Sequence, residues 1–256
     1  MASANLILNR RSNWLSFVRQ MKISMKKTMM AGLTPVLVGV LGLHAFCLLT
    51  FVSCAQAQDK EALALKLPAP TLKGTPEDLP AGPNIDPIPD KPRPPFLTAK
   101  GVKNVALGKP VTSSVKPFSG ELNQITDGKK EAFDYDAVEM KKGTQYIQVD
   151  LGESYAIHAI VFWHDHRYIQ LMRDVIIQVS DDPEFKNNVT TVFNNDMDNS
   201  SGLGVGTDRE YFETHEGRIV DAKGVKGRYV RGYTKGGSLS ALNCWQELEV
   251  YALPAK

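Results

Sequence analysis

The chain has 256 residues, of which 43% are hydrophobic and 23% charged, so it carries enough apolar side chains for at least one packed core. Its formal net charge of +2 conceals a segregation, because the six basic residues of positions 1–57 have no acidic neighbour in that stretch. The rest of the chain carries 24 basic and 28 acidic side chains, which excludes strong attraction to nucleic acid or to anionic lipid.

A leader is predicted for residues 1–57. The 22 residues of Ala31–Val52 carry no charge, and a helix of that length could cross a hydrocarbon layer. The small residues at Ala55–Ala57 favour cleavage before Gln58, which defines a signal peptide. The segment could instead persist as a signal anchor, or Cys54 could be lipidated. Each alternative predicts export, with the body secreted, periplasmic or membrane-anchored outside the cytoplasm.

Residues 58–101 form a predicted proline-rich linker. Ten of the 15 prolines lie between Pro68 and Pro95, and no aromatic residue occurs in that interval. Such a stretch buries too little apolar surface to offset its chain entropy, so we expect it to be disordered and solvated. It would act as a stalk of up to roughly 100 Å or be an inert remnant of domain shuffling.

Residues 102–253 are predicted to form an all-β domain, followed by a tail of residues 254–256. Short segments rich in Val, Ile, Tyr and Phe alternate with Gly, Asn, Asp and Pro, which is typical of antiparallel strands in a sandwich or barrel. Residues 156–165 are apolar on both faces, as expected of an inner strand. Cys244 is the one cysteine of this body, so no internal disulfide is available. The predicted strands are 145–152, 156–165, 174–182, 190–196, 209–215, 227–234 and 247–253.

Six motifs occur in order along this body: NVALGKPVTSS (104–114), ITDG (125–128), YIQVDLG (146–152), QVSDDPEF (178–185), RYVRGY (228–233) and ELEVY (247–251). Together they resemble the coagulation factor 5/8 type C, or discoidin, domain over roughly residues 102–252. The resemblance implies an eight-stranded antiparallel jelly-roll β-sandwich that binds ligands without catalysis. Because the animal members that bind lipid are pinned by a disulfide, this body is more similar to the bacterial branch and to carbohydrate-binding module family 32.

The segment Trp163–Tyr168 holds the densest cluster of chemically able side chains. Aromatic faces pack on sugar rings, and imidazole or guanidinium groups give directional hydrogen bonds to hydroxyls. The segment also ends a strand, where a sandwich carries its functional loops. We therefore predict ligand contacts from Trp163, His164, His166, Arg167 and Tyr168. The alternative is a structural cluster with Trp163 in the core and Asp165 bonded to Arg167 or to the backbone.

His164 and His166 also permit a metal reading. Two histidines at i and i+2 on a strand point to the same face and could chelate one ion. A further ligand is needed, and the five residues after His166 include no carboxylate but do include Arg167. A His-based metalloenzyme is therefore the least favoured interpretation.

A second segment, Ser240–Glu247, precedes the last strand. Asn243 and Trp245 share strand parity, and the resemblance implies that an Asn and an aromatic residue at this end contact the ligand. Relatives often carry His-Tyr where Cys244 and Trp245 stand, so the pocket chemistry would differ. The alternative is that Trp245 and Cys244 fill core space.

The resemblance also implies a structural calcium ion in the loop Ile125–Asp136. Residue by residue, the ligands would be the Asp127 side chain, the Lys129 carbonyl and the Glu247 side chain. Calcium prefers six to eight oxygen ligands, and two lysines in the loop oppose a divalent cation. The alternative is a plain Asp-Gly turn in which Lys130 pairs with Asp127 or Asp134.

The sequence therefore predicts an exported, non-catalytic module that binds carbohydrate or a cell-surface glycan through loops at one end of a β-sandwich. A protein-interaction or adhesion module without a sugar site is the first alternative. No nucleic-acid partner is expected, and contact with a membrane is expected only through the N-terminal segment.

Overall fold

The structure, a computed structural model, describes residues 59–71, 79–88, 90–132 and 137–255. These residues all belong to the second of two compact units, Ala55–Lys256. The predicted leader and its cleavage site lie outside the described residues, as does Asp134. Within those residues, no helix is long and apolar enough to cross a membrane.

The described residues form short strands around three long ones, together with a five-residue 3₁₀ helix, Leu122–Thr126. The strands are β1 (Lys60–Ala62), β2 (Leu97–Ala99), β3 (Lys103–Asn104), β4 (Val111–Ser113), β5 (Val138–Met140), β6 (Gln145–Trp163), β7 (Leu171–Met172), β8 (Ile176–Ser180), β9 (Thr190–Asn194), β10 (Tyr211–Phe212), β11 (Arg218–Thr234), β12 (Asn243–Trp245) and β13 (Glu247–Pro254).

The main sheet runs in the order β3-β13-β6-β11-β8-β9, with β4 also paired to β6. Its ladders are antiparallel, and three two-stranded antiparallel sheets, β1-β2, β7-β10 and β5-β12, complete the fold. The prediction of an all-β sandwich of antiparallel strands is therefore confirmed. Two of the predicted strands, 145–152 and 156–165, are one strand, β6, which continues through Gly152 at φ +90°.

The main core lies between the principal sheet and the layer that contains β5 and β12. Alternation along β6 directs Ile147, Val149 and Leu151, and later Ile160 and Phe162, into this core. These side chains are fully buried. Burying them removes apolar surface from water and contributes about 25 cal/mol per Å². The core thus holds the sandwich without a disulfide among the described residues, in which Cys244 is free.

The opposite face of β6 carries a second apolar cluster, formed by Ala159, Val161 and Trp163 together with Tyr251. The chain before residue 102 covers this cluster, and we call it the proline-rich segment (described residues 59–71, 79–88 and 90–101). It packs two leucines and one phenylalanine, Leu63, Leu65 and Phe96, against the cluster. The prediction of a solvated stalk is therefore wrong for the parts described, because an apolar outer face on β6 needs a cover.

The proline-rich segment is fixed to the sandwich at several points. β1 and β2, from the two ends of the segment, pair with each other as antiparallel strands beside the second cluster. Further along, Ile85 makes a parallel bridge to Glu210, and the Asp86 N–H donates to the Glu210 carbonyl at 2.8 Å. This path brings residues 86–94 beside the loop that joins β10 to β11.

Candidate functional site

The two segments predicted to converge do meet at one end of the sandwich. Trp163 at the end of β6 pairs with Glu247 at the start of β13, and the Gln246 N–H donates to the Trp163 carbonyl at 2.8 Å. The rings of His164 and Trp245 lie 4.7 Å apart. The contact is formed inside the protein, however, so the convergence leaves no concave surface between these side chains.

Both tryptophans are core residues, and their prediction as ligand platforms is wrong. Trp163 and Trp245 have no exposed surface. The Trp163 indole N–H donates to the His215 carbonyl at 3.0 Å, and its outer face lies under the proline-rich segment. Trp245 packs against Phe162 with ring centroids 6.1 Å apart. Each ring fills a space in one of the two apolar clusters, which the alternative reading of the sequence anticipated.

Both histidines are likewise fully buried, and their prediction as ligand contacts is wrong. The His164 Nδ1–H donates to the Glu213 carboxylate at 2.7 Å. The His166 Nε2–H donates to the Lys130 carbonyl at 2.8 Å, while its Nδ1 lies 3.0 Å from the Thr71 hydroxyl. The two imidazoles therefore serve separate structural contacts, and nothing in this geometry supports the metalloenzyme alternative.

Asn243 is a third predicted contact that the structure places in the interior, with no exposed surface. Its Oδ1 accepts from the Thr234 hydroxyl at 2.7 Å. Its Nδ2 donates to the carbonyls of Lys141 at 2.6 Å and Gly143 at 2.8 Å. The amide thus bridges two loops, and because its bonds are used within the fold, the prediction of ligand contact is wrong.

Arg167 and Tyr168 are the members of the predicted set that reach solvent. Tyr168 is 59% exposed. The Arg167 guanidinium donates to the Asp165 carboxylate at 2.7 Å and lies 5.6 Å from the centre of the Tyr168 ring. Together they offer an exposed aromatic face beside a paired charge, and a ligand contact here stays a prediction.

The predicted calcium ligands do not form a calcium site in this chain. Asp127 accepts the Lys129 N–H at 2.8 Å and lies 3.7 Å from the Lys129 ammonium. Glu247 accepts the Gly128 N–H at 3.1 Å. The buried ammonium of Lys130 stands among the carboxylates of this region, where a divalent ion would have to compete with it. The residues therefore do not fit calcium, although the Asp-Gly turn is present as the alternative proposed.

Glu247 is fully buried and its Oε2 has no hydrogen-bond partner among the described residues. Burial, and after it the neighbouring Glu249, raise the pKa of this carboxyl to about 9, although Lys130 opposes the shift. A carboxyl with this pKa is protonated at neutral pH. It is therefore a neutral group of the fold rather than an anionic ligand.

A cleft of about 420 Å³ opens at the same end of the sandwich, and its lining residues are not among those that the sequence predicted. One wall is the β10–β11 region, including Tyr211, Phe212 and Arg218. The other is the proline-rich segment, with rings of Pro87, Pro92 and Pro94. We call this space the cleft. Its volume lies in the range of small-molecule sites.

Arg93 holds the two walls together. Its guanidinium donates to the carbonyls of Glu216 at 2.7 Å and Gly217 at 2.8 Å, and its backbone N–H donates to the Glu216 carboxylate at 3.1 Å. Burial lowers the pKa of Arg93, and the nearby Glu216 opposes that shift. Gly217 adopts φ +64° and lies directly over the Trp163 indole. Trp163 thus supports the cleft from beneath, through its contact with Gly217, and does not line it.

Arg218 and Tyr211 define the polar floor of the cleft. The Arg218 guanidinium donates to Asp86 at 2.9 Å and lies 4.9 Å from the centre of the Tyr211 ring. The Tyr211 hydroxyl and the Arg218 Nε are buried without a partner among the described residues. Burial raises the pKa of Tyr211, so its hydroxyl stays protonated. These two groups therefore have unused hydrogen-bonding capacity beneath the surface of the cleft.

An acidic cluster of Asp174, Asp196 and Asp198 lies elsewhere, with carboxylate oxygens within 4.8 Å of one another. Burial and the two other aspartates raise the pKa of Asp174. The Asp196 carboxylate accepts the N–H groups of Ser200 and Ser201. These hydrogen bonds stabilise the turn that follows Asp196, and they do not indicate a ligand.

The fold and the cleft define the class: an antiparallel β-sandwich with a concave site at one end. Residues 124–231 match the family model described as a NedA-like, galactose-binding domain of the F5/8 type C group. Over these residues, the match confirms the resemblance to the F5/8 type C domain that the six motifs indicated. Among curated proteins, no sequence match is found.

Several solved structures are similar to this chain at low sequence identity. A fucose-binding module of Streptococcus pneumoniae is 18% identical, with a TM-score of 0.43 over 59% of this chain and 98% of that chain. A CBM32 module of Clostridium perfringens, in complex with GlcNAc-α-1,4-galactose, is 14% identical with a TM-score of 0.40 over 60% and 96%. The lectin domain of lectinolysin, complexed with Lewis B antigen, is 15% identical with a TM-score of 0.42 over 60% and 98%.

Proposed function

We propose that this domain is a non-catalytic carbohydrate-binding module whose ligand lies in the cleft. The observation that carries the proposal is a concave space of about 420 Å³ that joins proline and aromatic faces to guanidinium groups. A pyranose ring offers one apolar face and a rim of hydroxyls, which match such a lining. The galactose-binding description of the matching family supports the same class of ligand.

The charges that line the cleft favour a neutral sugar. Three cationic side chains face three carboxylates, so a carboxylated or sulfated sugar would gain little net attraction. Asp86 is paired with Arg218, and the Glu216 carboxylate accepts the Arg93 N–H. Carboxylates engaged in this way are poor candidates for the opposed acid and nucleophile of a glycosidase, which favours binding over catalysis. The six side chains are Lys91, Arg93, Arg218, Asp86, Asp90 and Glu216.

A glycan array followed by calorimetry with the best neutral ligand tests the proposal. We expect Arg218→Ala to weaken binding by about tenfold or more, which corresponds to ~1.4 kcal/mol. Tyr168→Ala is the matched control, since Tyr168 is the exposed aromatic residue of the other predicted segment. It should change affinity less than about twofold.

The opposite pattern of affinities would place the sugar-binding site outside the cleft. If Tyr168→Ala abolished binding and Arg218→Ala did not, the ligand would lie on the loop after β6 and the cleft would be excluded. A folded protein that binds no glycan on the array, but retains a purified protein partner, would favour the adhesion alternative.

We also propose that the protein is exported by its N-terminal segment. The support is the uncharged run of 22 residues after a basic stretch, in residues that lie outside those described. Mass measurement of protein isolated from the producing cells should give a chain that begins at Gln58. An intact N-terminus, or a lipid on Cys54, would identify one of the two alternative fates.

A further inference from the structure

Lys130 places a charged ammonium group in the interior. The residue is 5% exposed, whereas the side chain of the adjacent Lys129 is 79% exposed. The Lys130 Nζ lies 2.6 Å from Glu249 Oε1. The other oxygen of Glu249 accepts the Tyr251 hydroxyl at 2.9 Å. A lysine is almost never buried unless it is paired, so this position has a specific electrostatic role.

The surroundings of this ammonium are acidic. Glu247 is fully buried and Glu249 is 4% exposed, both on β13, and Asp127 lies at the end of the 3₁₀ helix. Lys130 and Asp127 both act electrostatically on Glu247, which places the four groups in one neighbourhood. Without a cation the Glu249 carboxylate would stand uncompensated in a poorly solvated region, next to the neutral Glu247.

The Lys130 side chain also joins three parts of the fold. Its ammonium lies 5.3 Å from the centre of the Trp163 ring at the end of β6. Its carbonyl accepts the His166 Nε2–H. Its partner Glu249 belongs to β13. One residue of the loop after the 3₁₀ helix therefore connects β6 and β13.

We infer that the Lys130 ammonium is the built-in cation of this end of the sandwich and takes the place of a divalent metal ion. A metal ion within the same carboxylates would be repelled by the ammonium, and the ammonium already supplies the positive charge that the carboxylates require. The loop 125–132 and the strands it joins are therefore stable without calcium.

Thermal unfolding of the full chain tests the inference, with Lys129→Met as the matched control for Lys130→Met. Lys130→Met should lower Tm by about 10 °C, because it leaves Glu249 buried without its partner. Lys129→Met should change Tm by less than about 1 °C, since exposed pairs contribute little. The double variant Lys130→Met/Glu249→Gln should recover part of the loss, because both charges are then removed.

The calcium arm compares the wild type with Glu247→Gln, in EGTA and in calcium chloride. We expect calcium chloride to change Tm by the same amount in both proteins. Calcium bound elsewhere, such as at the Asp174 cluster, would affect both proteins equally and would cancel in this comparison. A calcium-induced rise in Tm that is present in the wild type and lost in Glu247→Gln would overturn it. Equal Tm values for Lys129→Met and Lys130→Met would overturn it as well.

Discussion

At the scale of single residues, several hydrogen-bonding side chains at the end of the sandwich stabilise the fold through buried contacts. Asn243 bridges two loops through both ends of its amide, and His164 and His166 make buried contacts with Glu213 and Lys130. A sugar-binding site and a buried hydrogen-bond network between loops use the same residue types, because both need directional donors and acceptors. Most polar groups in a protein interior are paired, and these hydrogen bonds hold the three side chains in place.

Glu247 should give stability an unusual dependence on pH. Its pKa is about 9 in the folded protein against a usual value near 4.5, so between these values the folded state holds a proton that the unfolded state has lost. Stability should therefore fall as pH rises from about 5 to 9, by up to ~1.4 kcal/mol per pH unit. Urea unfolding at several pH values measures this slope.

Glu247→Gln keeps the shape of the side chain and cannot ionise, so it should flatten the pH dependence. Glu153→Gln is the control, since Glu153 is an exposed glutamate on the neighbouring strand β6. An identical slope in wild type and Glu247→Gln would show that Glu247 is not the group responsible.

Gly217 should not tolerate a side chain. A Cβ at this position would fall inside van der Waals contact with the Trp163 indole, and the backbone has φ +64°. Gly202, at φ +74° with nothing within 4 Å of a Cβ, shares the backbone cost without the contact. Gly217→Ala should therefore lose about 1–3 kcal/mol more stability than Gly202→Ala in chemical denaturation. Equal losses would mean that the indole moves aside without cost.

At the scale of elements, β6 explains the position of the proline-rich segment. Its second half is apolar on both faces, with Phe162 in the main core and Val161 in the second cluster. No strand of the sandwich covers the outer cluster, and Leu63, Leu65 and Phe96 fill that role. The apolar outer face in residues 156–165 is the sequence signal from which this cover could have been expected.

Arg93 should control how firmly this segment is held beside the cleft. Arg93→Ala removes the two guanidinium hydrogen bonds to the carbonyls of Glu216 and Gly217, and it keeps the backbone N–H bond to the Glu216 carboxylate. Hydrogen exchange of the backbone amides in residues 84–94 should accelerate by about tenfold or more, since bonds to charged groups each contribute ~1.5–3 kcal/mol. Lys66→Ala, at an exposed position of the same segment, should leave exchange unchanged. Unaltered exchange in Arg93→Ala would show that the prolines alone hold the cleft wall.

At the scale of the whole molecule, the body is held by its two apolar clusters and by buried ion pairs. In the part of the chain that the structure describes, Cys244 is the free cysteine, and burial raises the pKa of its thiol to about 12. A thiol with that pKa is a poor nucleophile at neutral pH. The unit therefore needs neither an oxidising compartment nor a redox partner to stay folded.

Reducing agent should leave the stability of this body unchanged. Tm measured with and without dithiothreitol should agree within about 1 °C, because no cross-link restrains the unfolded chain. Cys244→Ser, measured under the same two conditions, separates a cross-link at Cys244 from other effects. A fall in Tm on reduction that is absent from Cys244→Ser would show that Cys244 forms a disulfide.

The sequence by itself determined the all-β fold and the resemblance to the F5/8 type C domain, because apolar periodicity, turn residues and six ordered motifs can be read from the residues alone. It also anticipated that residues 156–165 form an inner strand. Only the tertiary structure decided which chemically able side chains face solvent, since Trp163, Trp245 and Asn243 have the same local pattern whether they point inward or outward. The cleft is likewise beyond sequence reasoning, because its two walls lie more than 110 positions apart and meet through contacts such as Arg93 with Glu216.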